Sequence, residues 1–413
     1  MEFGVFLNGY IPGPAAHDTA CEHTALMREA EYAIVADRHR WKYVWFGEHH
    51  GLTEYSHMSA PEVMMGYVAA RTERIHLGSA ITSLPTRKEH PVRIAERAAM
   101  LDHITGQRFE FGTGRGAGSH EVAMFNVLDT NDTKAQWDEV IHEIPRMWEQ
   151  RDYDFSGDHF TVPTPHNVLP KPYGLGHPPL WVACGNPPTF AKAGAHGIGA
   201  IAFNFEPIHN LKGRVDSYKE AVQHPTDQIG QYKNDNVMMT NAVICLNDRR
   251  RAREIALTAG RGYLVTMVNL YHDTMPKSPN ARTWPDPPII LPHDEDLLDQ
   301  LIAGGYMLCG TPDEVCEQLV RYQAVGCDQI VFGLPGEGMH HDEILEQLEI
   351  FGEQVIPEFD PDPVHSTTRY REQAQRRFPE FAHPVPDVSV GLLPDTALTP
   401  APRSAPAPAP AAA

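Results

Sequence analysis

The sequence predicts an α/β protein: a (β/α)8 TIM barrel with insertions after the fourth and seventh strands and a disordered Pro/Ala-rich C-terminal tail. Three observations carry this expectation. Short strand-like runs alternate with helical patterns through eight units. Three early runs end in residues suited to a site: Val44-Trp45-Phe46 leads into Glu48-His49-His50, Ile75-His76-Leu77-Gly78-Ser79-Ala80-Ile81 into Thr82 and Ser83, and Arg108-Phe109-Glu110-Phe111 into Gly112-Thr113-Gly114-Arg115. Successive strands that deliver chemistry at their C-terminal ends are what an α/β barrel provides.

The elements follow in order. A first strand covers about 3–7. A helix near 22–39 carries Leu26, Met27, Ala30, Ala33 and Ile34 on one apolar stripe. A strand at 43–46 precedes a helix that starts near Ala60, has Pro61 in its first turn, and ends before Thr72. The strand at 75–81 is followed by a helix at 91–104 that stops at Thr105-Gly106, where Gly106 suits the left-handed end position. The strand at 108–112 leads to a helix at 132–150 capped by Asn131 or Asp132. Residues 152–179 are rich in Pro, Gly and Tyr, and read as an excursion holding a hairpin at Phe155-Ser156-Gly157-Asp158-His159-Phe160. A strand at 180–183, a helix from Pro187-Pro188 to His196-Gly197, a strand at 200–203, a helix at 208–223, a strand at 237–245 and a helix at 248–259 continue the rhythm. Residues 261–305 hold Pro276, Pro279, Pro285, Pro287, Pro288 and Pro292 and read as an irregular loop, the candidate lid. After the Gly310-Thr311-Pro312 turn come a helix at 313–325, a strand at 329–332 and a helix at 342–355. The barrel domain is thus expected over 1–357. An extension at 358–394 carries Tyr370, Phe378, Phe381 and Leu392-Leu393, which could pack on the barrel or on a neighbouring subunit. Residues 395–413 are mostly Pro and Ala, cannot bury enough apolar surface to order themselves, and are expected to be disordered.

Bulk properties narrow the function. The 413 residues carry 34 basic and 54 acidic side chains, a net charge of −20. So acidic a chain is a poor nucleic-acid binder, because phosphate neutralisation needs clustered Lys and Arg, and no nucleic-acid partner is expected. The six cysteines are scattered with no C-x-x-C, which reads as reduced thiols in a cytoplasmic protein. The chain opens directly into a strand without a basic leader, and no apolar run is long enough to span a bilayer.

Four stretches could do chemistry. Glu48-His49-His50 directly follows a strand, and a histidine there can move protons. The same three letters could bind metal, but no Asp or His partners follow the other strands suitably, so no metal site is expected. Gly112-Thr113-Gly114-Arg115-Gly116-Ala117-Gly118 lets the backbone approach a planar or anionic ligand, with Arg115 as a phosphate or carboxylate clamp. Its spacing matches neither a P-loop nor a dinucleotide fingerprint. Ala183-Cys184-Gly185-Asn186-Pro187-Pro188-Thr189 joins a strand to a helix whose first N–H groups would form an anion site. Arg115 and this turn come from adjacent strands and could share one phosphate. Ser79-Ala80-Ile81 offers small residues beside which a flat ring could lie. Each also has an ordinary reading: a satisfied polar strand end, a bare glycine loop, a plain helix cap and a packed strand. Trp45, Trp181 and Phe203 read most simply as barrel-lining residues.

Taken together, Glu48-His49-His50, the Gly78-to-Pro85 strand, His90-Pro91-Val92-Arg93, Leu101-Asp102-x-x-Thr105-Gly106-x-Arg108-Phe109 and Phe111-Gly112-x-x-Arg115-Gly116 occur in one order. This set resembles the bacterial luciferase-like flavin-dependent monooxygenases over roughly 1–357. The resemblance implies a barrel that binds FMN in its reduced form, supplied by a separate flavin reductase. Oxygen would add to the flavin as a C4a-hydroperoxide and oxygenate a small, largely apolar substrate of aldehyde or ketone type. A homodimer is implied as well. Some relatives instead use F420 for hydride transfer, and accessory chains bind flavin without catalysis. Matched by position, His49 is implied as the catalytic proton carrier, with Glu48 helping to set the pocket. Arg115 with Ala183, Cys184, Gly185, Asn186 and Thr189 is implied to hold the flavin phosphate. The Ala80–Ile81 bond is implied to be a non-proline cis peptide under the ring. The chain departs from luciferase in having Gly114 where that enzyme has a reactive cysteine, Gly118 in place of an aromatic residue, and Cys184-Gly185 in place of an acidic–serine pair. Light emission is therefore not expected, and Gly114 is expected to leave room at the reactive carbon of the flavin.

Overall fold

The computed structural model describes residues 1–11, 15–53, 55–116, 118–174, 176–203, 206–258, 292–334 and 338–377. Eight parallel strands close into a barrel: β1 (Glu2–Leu7), β2 (Tyr43–Phe46), β3 (His76–Ser79), β4 (Phe109–Gly114), β5 (Leu180–Cys184), β6 (Gly199–Phe203), β7 (Val237–Cys245) and β8 (Gln329–Gly333). Each pairs with the next, and β8 returns to β1 through Glu2 opposite Gln329 and Phe6 opposite Gly333. Helices α1 (Thr19–Arg38), α2 (Pro61–Ala69), α3 (Pro91–Thr105), α4 (Asp132–Glu149), α5 (Pro187–Ala195), α6 (Lys212–Gln223), α7 (Arg249–Thr258), α8 (Glu295–Gly304), α9 (Pro312–Val325), α10 (His341–Ile350) and α11 (Ser366–Arg377) are the long helices among the described residues. The ends use the expected chemistry. Asp18 accepts the N–H groups of Ala20 and Cys21 at the start of α1. Gly106 ends α3 at φ 63°.

The barrel interior is filled by large side chains. Tyr43, Trp45, Trp181, Ile201, Met238 and Val331 pack there with Phe6, and Phe203 lies against them. Trp45 and Trp181 meet edge to face at 5.2 Å. Two glycines make this possible: a Cβ on Gly78 would overlap the Trp45 ring, and one on Gly199 the Trp181 ring. The barrel is therefore packed through its middle, and a ligand must enter from an end.

The N-terminal end is closed by the C-terminal segment. Thr367 of α11 donates to Glu110 at 2.5 Å, and the His365 ring stacks on His76 at 3.7 Å. Glu110 also accepts the Trp181 indole N–H at 2.8 Å and contacts His76 Nδ1 at 2.7 Å. Arg371 donates two 2.8 Å bonds to Asp102 of α3, both side chains being buried. Of the two placements open to the extension, residues 358–377 take the barrel floor of their own chain.

Several expectations need correction. The expected lid at 261–305 is irregular by sequence, but its last part forms α8, capped by Asp294 and ended by Gly305 at φ 73°. The proline density hid the apolar stripe of Leu297, Leu298, Leu301 and Ile302. The rest of that segment, 261–291, lies outside the described residues, as do 378–394 and the tail at 395–413. The short strand Leu308–Gly310 was not expected; it pairs with β7 along Val243–Cys245. The strand expected over 75–81 breaks after Ser79 and resumes as Thr82–Ser83 beside β4. The hairpin after α4 is present, as Tyr153–Ser156 against Thr161–His166.

Candidate active site at the C-terminal mouth of the barrel

The three residues after β2 face three different partners. The Glu48 carboxylate is buried in ion-pair contact with Lys88 and hydrogen-bonded to His50 Nε2 at 3.2 Å. Burial pushes the Lys88 ammonium down to about 8, opposed by the nearby Glu89 and Glu121 carboxylates. His50 packs edge-on to Phe125 at 4.9 Å, and burial lowers its pKa. His49 lies edge-on to Tyr55 at 4.7 Å, and its backbone N–H bonds to Met58 O at 3.1 Å.

His49 Nδ1 is the chemically distinctive atom. It is buried, makes no aligned hydrogen bond, and stands 3.3 Å from Glu121 Oε1. That carboxylate oxygen also accepts the His50 backbone N–H at 2.9 Å. Glu121 sits on the short helix Ser119–Ala123, just past the glycine loop, so it ties the loop after β4 to the loop after β2. A carboxylate beside Nδ1 favours a proton on that nitrogen and leaves Nε2 for a ligand. Asn8, directly after β1, adds another buried orphan: its Oδ1 has no partner, while its Nδ2 donates to Tyr55 O at 3.2 Å. Glu121, Lys88 and Asn8 were missed in the sequence. Asn8 follows a barrel strand as Glu48 does, which was a usable signal; Glu121 and Lys88 come close only through loop packing.

The Ala80–Ile81 peptide bond is cis, with Ala80 buried and Ile81 half-buried. The space at Gly114 is not open, contrary to expectation. A Cβ there would lie 2.6 Å from Ile81 Cδ1, so the missing side chain makes room for isoleucine.

Arg115 follows β4 and is half-buried, with Nη1 donating to Thr133 Oγ1 at 3.2 Å at the start of α4. The register Thr113 opposite Val182 sets Arg115 beside the 183–189 turn. The turn itself is less generous than the sequence suggested. Asn186 and Thr189 satisfy each other in a capping box, with Thr189 N–H on Asn186 Oδ1 at 3.2 Å and Asn186 N–H on Thr189 Oγ1 at 3.3 Å. Pro187 and Pro188 have no N–H to offer. Cys184 points inward with its thiol on Val182 O and Thr189 O, and burial pushes its pKa up to about 12. Ala183 is half-buried, while exposed Gly185 has open space around its α-carbon. An anion here would rest on Arg115 and the Gly185 backbone rather than on a row of helix N–H groups.

The mouth thus combines a buried histidine with a carboxylate beside it and an arginine at the end of β4. A planar ring with a phosphate tail fits these residues: orphan polar atoms at one side, a guanidinium at the other. Beside the mouth, a cavity of about 540 Å³ lies between β1, α1 and the residues after β8, lined in part by Phe6, Asn8, Tyr10, Arg28, Glu29 and Gly333. Glu29 holds its rim, accepting the Gly9 N–H at 2.7 Å and the Asn8 N–H at 3.3 Å, with burial raising its pKa to about 7.

The chain resembles known proteins over most of its length. The family model described as luciferase-like monooxygenase matches residues 1–329. The alkanal monooxygenase alpha chain of Photorhabdus luminescens is 25% identical over 368 residues, covering 86% of this chain and 96% of that protein. The oxygenase component of flavin-dependent trigonelline monooxygenase from Acinetobacter baylyi is 24% identical over 349 residues, covering 81% and 90%. Among solved structures, the oxygenating constituent of 3,6-diketocamphane monooxygenase from Pseudomonas putida, in complex with FMN, superposes with a TM-score of 0.68 at 19% identity over 86% of this chain and 98% of that one. An F420-dependent secondary alcohol dehydrogenase superposes with a TM-score of 0.62 at 18% identity over 86% and 97%. At such identities the solved structures speak for the barrel fold alone.

Proposed function

The chain belongs to the luciferase-like monooxygenase family, and from that premise we propose that it is an FMNH2-dependent monooxygenase acting on a small, largely apolar substrate of aldehyde or ketone type. The observation that carries the proposal is the buried His49–Glu121 pair at the mouth, 3.3 Å apart, with Arg115 at the end of β4, two strands from β2. Bound there, reduced flavin supplies the two electrons for splitting O2, one oxygen atom entering the substrate and the other leaving as water. Arg115, oriented by Thr133, would hold the phosphate, with Gly185 giving backbone support. Ala80 and Ile81 would flank the ring. His49 would hold or move a proton at Nε2 while Glu121 steadies Nδ1. Glu48 is engaged by Lys88 and His50, so its part is to orient the loop rather than to transfer a proton.

F420 is the alternative cofactor, suggested by the F420-dependent alcohol dehydrogenase among the structural neighbours. Sequence relatives named as flavin monooxygenases favour FMN. A non-catalytic flavin-binding role is disfavoured by the intact His49 and Arg115. The name "oxygenase component" of one relative supports a separate flavin reductase as partner. Exposed Val63 and Tyr67 on α2, with Met100 and Ile104 on α3, support a homodimer through those helices. The six cysteines are unpaired, which supports a reducing, cytoplasmic setting. No helix among the described residues is long and apolar enough to cross a membrane.

The test is a panel of aldehydes and ketones incubated with the protein, a flavin reductase, FMN, NADH and 18O2. Product carrying a single 18O atom is expected for at least one compound. Reduction of a carbonyl compound with F420H2, and no label from 18O2 in any product, would overturn the reading.

A further inference from the structure

Away from the mouth, three side chains from separate segments meet on the outer wall. His142 lies on α4, His196 caps the end of α5, and Asp227 sits in the loop after α6. His142 Nε2 is 3.0 Å from Asp227 Oδ2, and His196 Nδ1 is 3.1 Å from that same oxygen. One ligand atom from each lies within 4.8 Å of the others. We propose that His142, His196 and Asp227 bind one divalent transition-metal ion of the zinc, nickel or cobalt type.

The hydrogen bonds around the trio argue for a cation between these atoms. His142 Nδ1 donates to Asp138 O at 2.6 Å, which fixes the proton on that nitrogen and leaves the Nε2 lone pair facing a carboxylate. Metal-bound histidines are commonly held in this way by their other nitrogen. His196 is buried and turns Nδ1 toward Asp227, whose carboxylate and carbonyl oxygens each lie 3.1 Å away, so ligation through Nδ1 would move its proton to Nε2, which has no other partner. Backbone bonds pre-set Asp227: its N–H meets Ala195 O at 3.0 Å, and its own carbonyl lies 3.1 Å from His196 Nδ1. That carbonyl offers a fourth donor. Neighbouring ligands on a tetrahedral ion with bonds of ~2.1 Å stand ~3.4 Å apart, close to the 3.0 and 3.1 Å that separate the two imidazoles from Asp227 Oδ2. Two imidazoles with one carboxylate suit zinc, nickel and cobalt better than magnesium or calcium. The exposed side of Asp227 leaves room for water to complete the shell. The ammonium of Lys192 is drawn aside by Asp138. A metal here would join α4, the end of α5 and the 227 loop, bracing the helix whose other end is the 183–189 turn.

The experiment uses the untagged full-length protein, stripped with a chelator and titrated with Zn2+ or Ni2+ by calorimetry, with His142→Ala and Asp227→Asn in parallel. Both changes sit at the solvent side, and Asp227→Asn keeps the shape. The wild type is expected to bind one equivalent more than either variant, or to bind it at least tenfold more tightly, and to melt higher with Zn2+ but not with Mg2+ or Ca2+. Equal stoichiometry and affinity in wild type and both variants would overturn the proposal and leave the trio as a hydrogen-bonded ion pair. The readout is independent of flavin chemistry.

Discussion

His49 Nδ1 lies 3.3 Å from Glu121 Oε1, with both side chains buried at the barrel mouth. The pair spans two loops, and neither residue reaches the other by sequence proximity. His49→Ala should leave flavin affinity nearly unchanged and lower turnover at least ~10²-fold, the usual worth of an acid–base group. Glu121→Gln should lower turnover less than His49→Ala, since the amide keeps the shape and removes only the charge beside Nδ1. Steady-state rates across pH, with flavin affinity measured separately, check both. Unchanged turnover in His49→Ala would take the histidine out of the mechanism.

Arg115 stands beside the 183–189 turn, where Pro187 and Pro188 offer no N–H and Thr189 is already capped. The guanidinium therefore carries most of any phosphate binding. Arg115→Ala should weaken FMN much more than riboflavin, measured by fluorescence titration. Equal losses for the two ligands would refute the phosphate role.

The floor depends on a buried ion pair between residues far apart in the chain. Arg371 and Asp102 make two 2.8 Å bonds, and Tyr173 N–H shares the carboxylate at 2.8 Å. Removing one member strands the other charge, which costs about 3–5 kcal/mol. Arg371→Ala should lose that much in urea unfolding. A loss under ~0.5 kcal/mol, far below the cost of a stranded buried charge, would mean that α11 does not hold the floor closed.

Legibility in the sequence varied with the range of the interactions. Strands such as Val237–Cys245 and the Gly106 helix end were readable because local pattern and backbone chemistry specify them. His49 and Arg115 were readable as residues after strands, and the Ala80–Ile81 geometry only through the family resemblance. Glu121 was not, because its approach to His49 depends on how two loops fold over each other. A helix start at Thr189 is legible locally, but whether its N–H is open to a ligand depends on the rotamer of Asn186, which occupies it. The same limit applies to α11: Thr367 and Arg371 have no local pattern that announces Glu110 and Asp102 as partners.

Glu110 gives the floor a pH dependence. Burial raises its pKa from 4.5 to about 8, while burial lowers that of His76 to about 3, so the proton rests on the carboxyl. A carboxyl with a raised folded pKa stabilises fully below its unfolded pKa, and that contribution is lost as pH rises through about 8. Glu110→Gln removes the titration. Its stability relative to wild type should improve between pH ~5 and ~8, by at most ~1.4 kcal/mol per pH unit. Parallel urea curves across that range check this, and a constant difference would contradict it.

The central claim is that the mouth is built for reduced FMN. The most direct measurement is an anaerobic titration of the protein with photoreduced FMN and, separately, with F420H2. Saturable binding of FMNH2, weakened in Arg115→Ala, with little affinity for F420H2, is the predicted result. Tight binding of F420H2 with no binding of FMNH2 would contradict it.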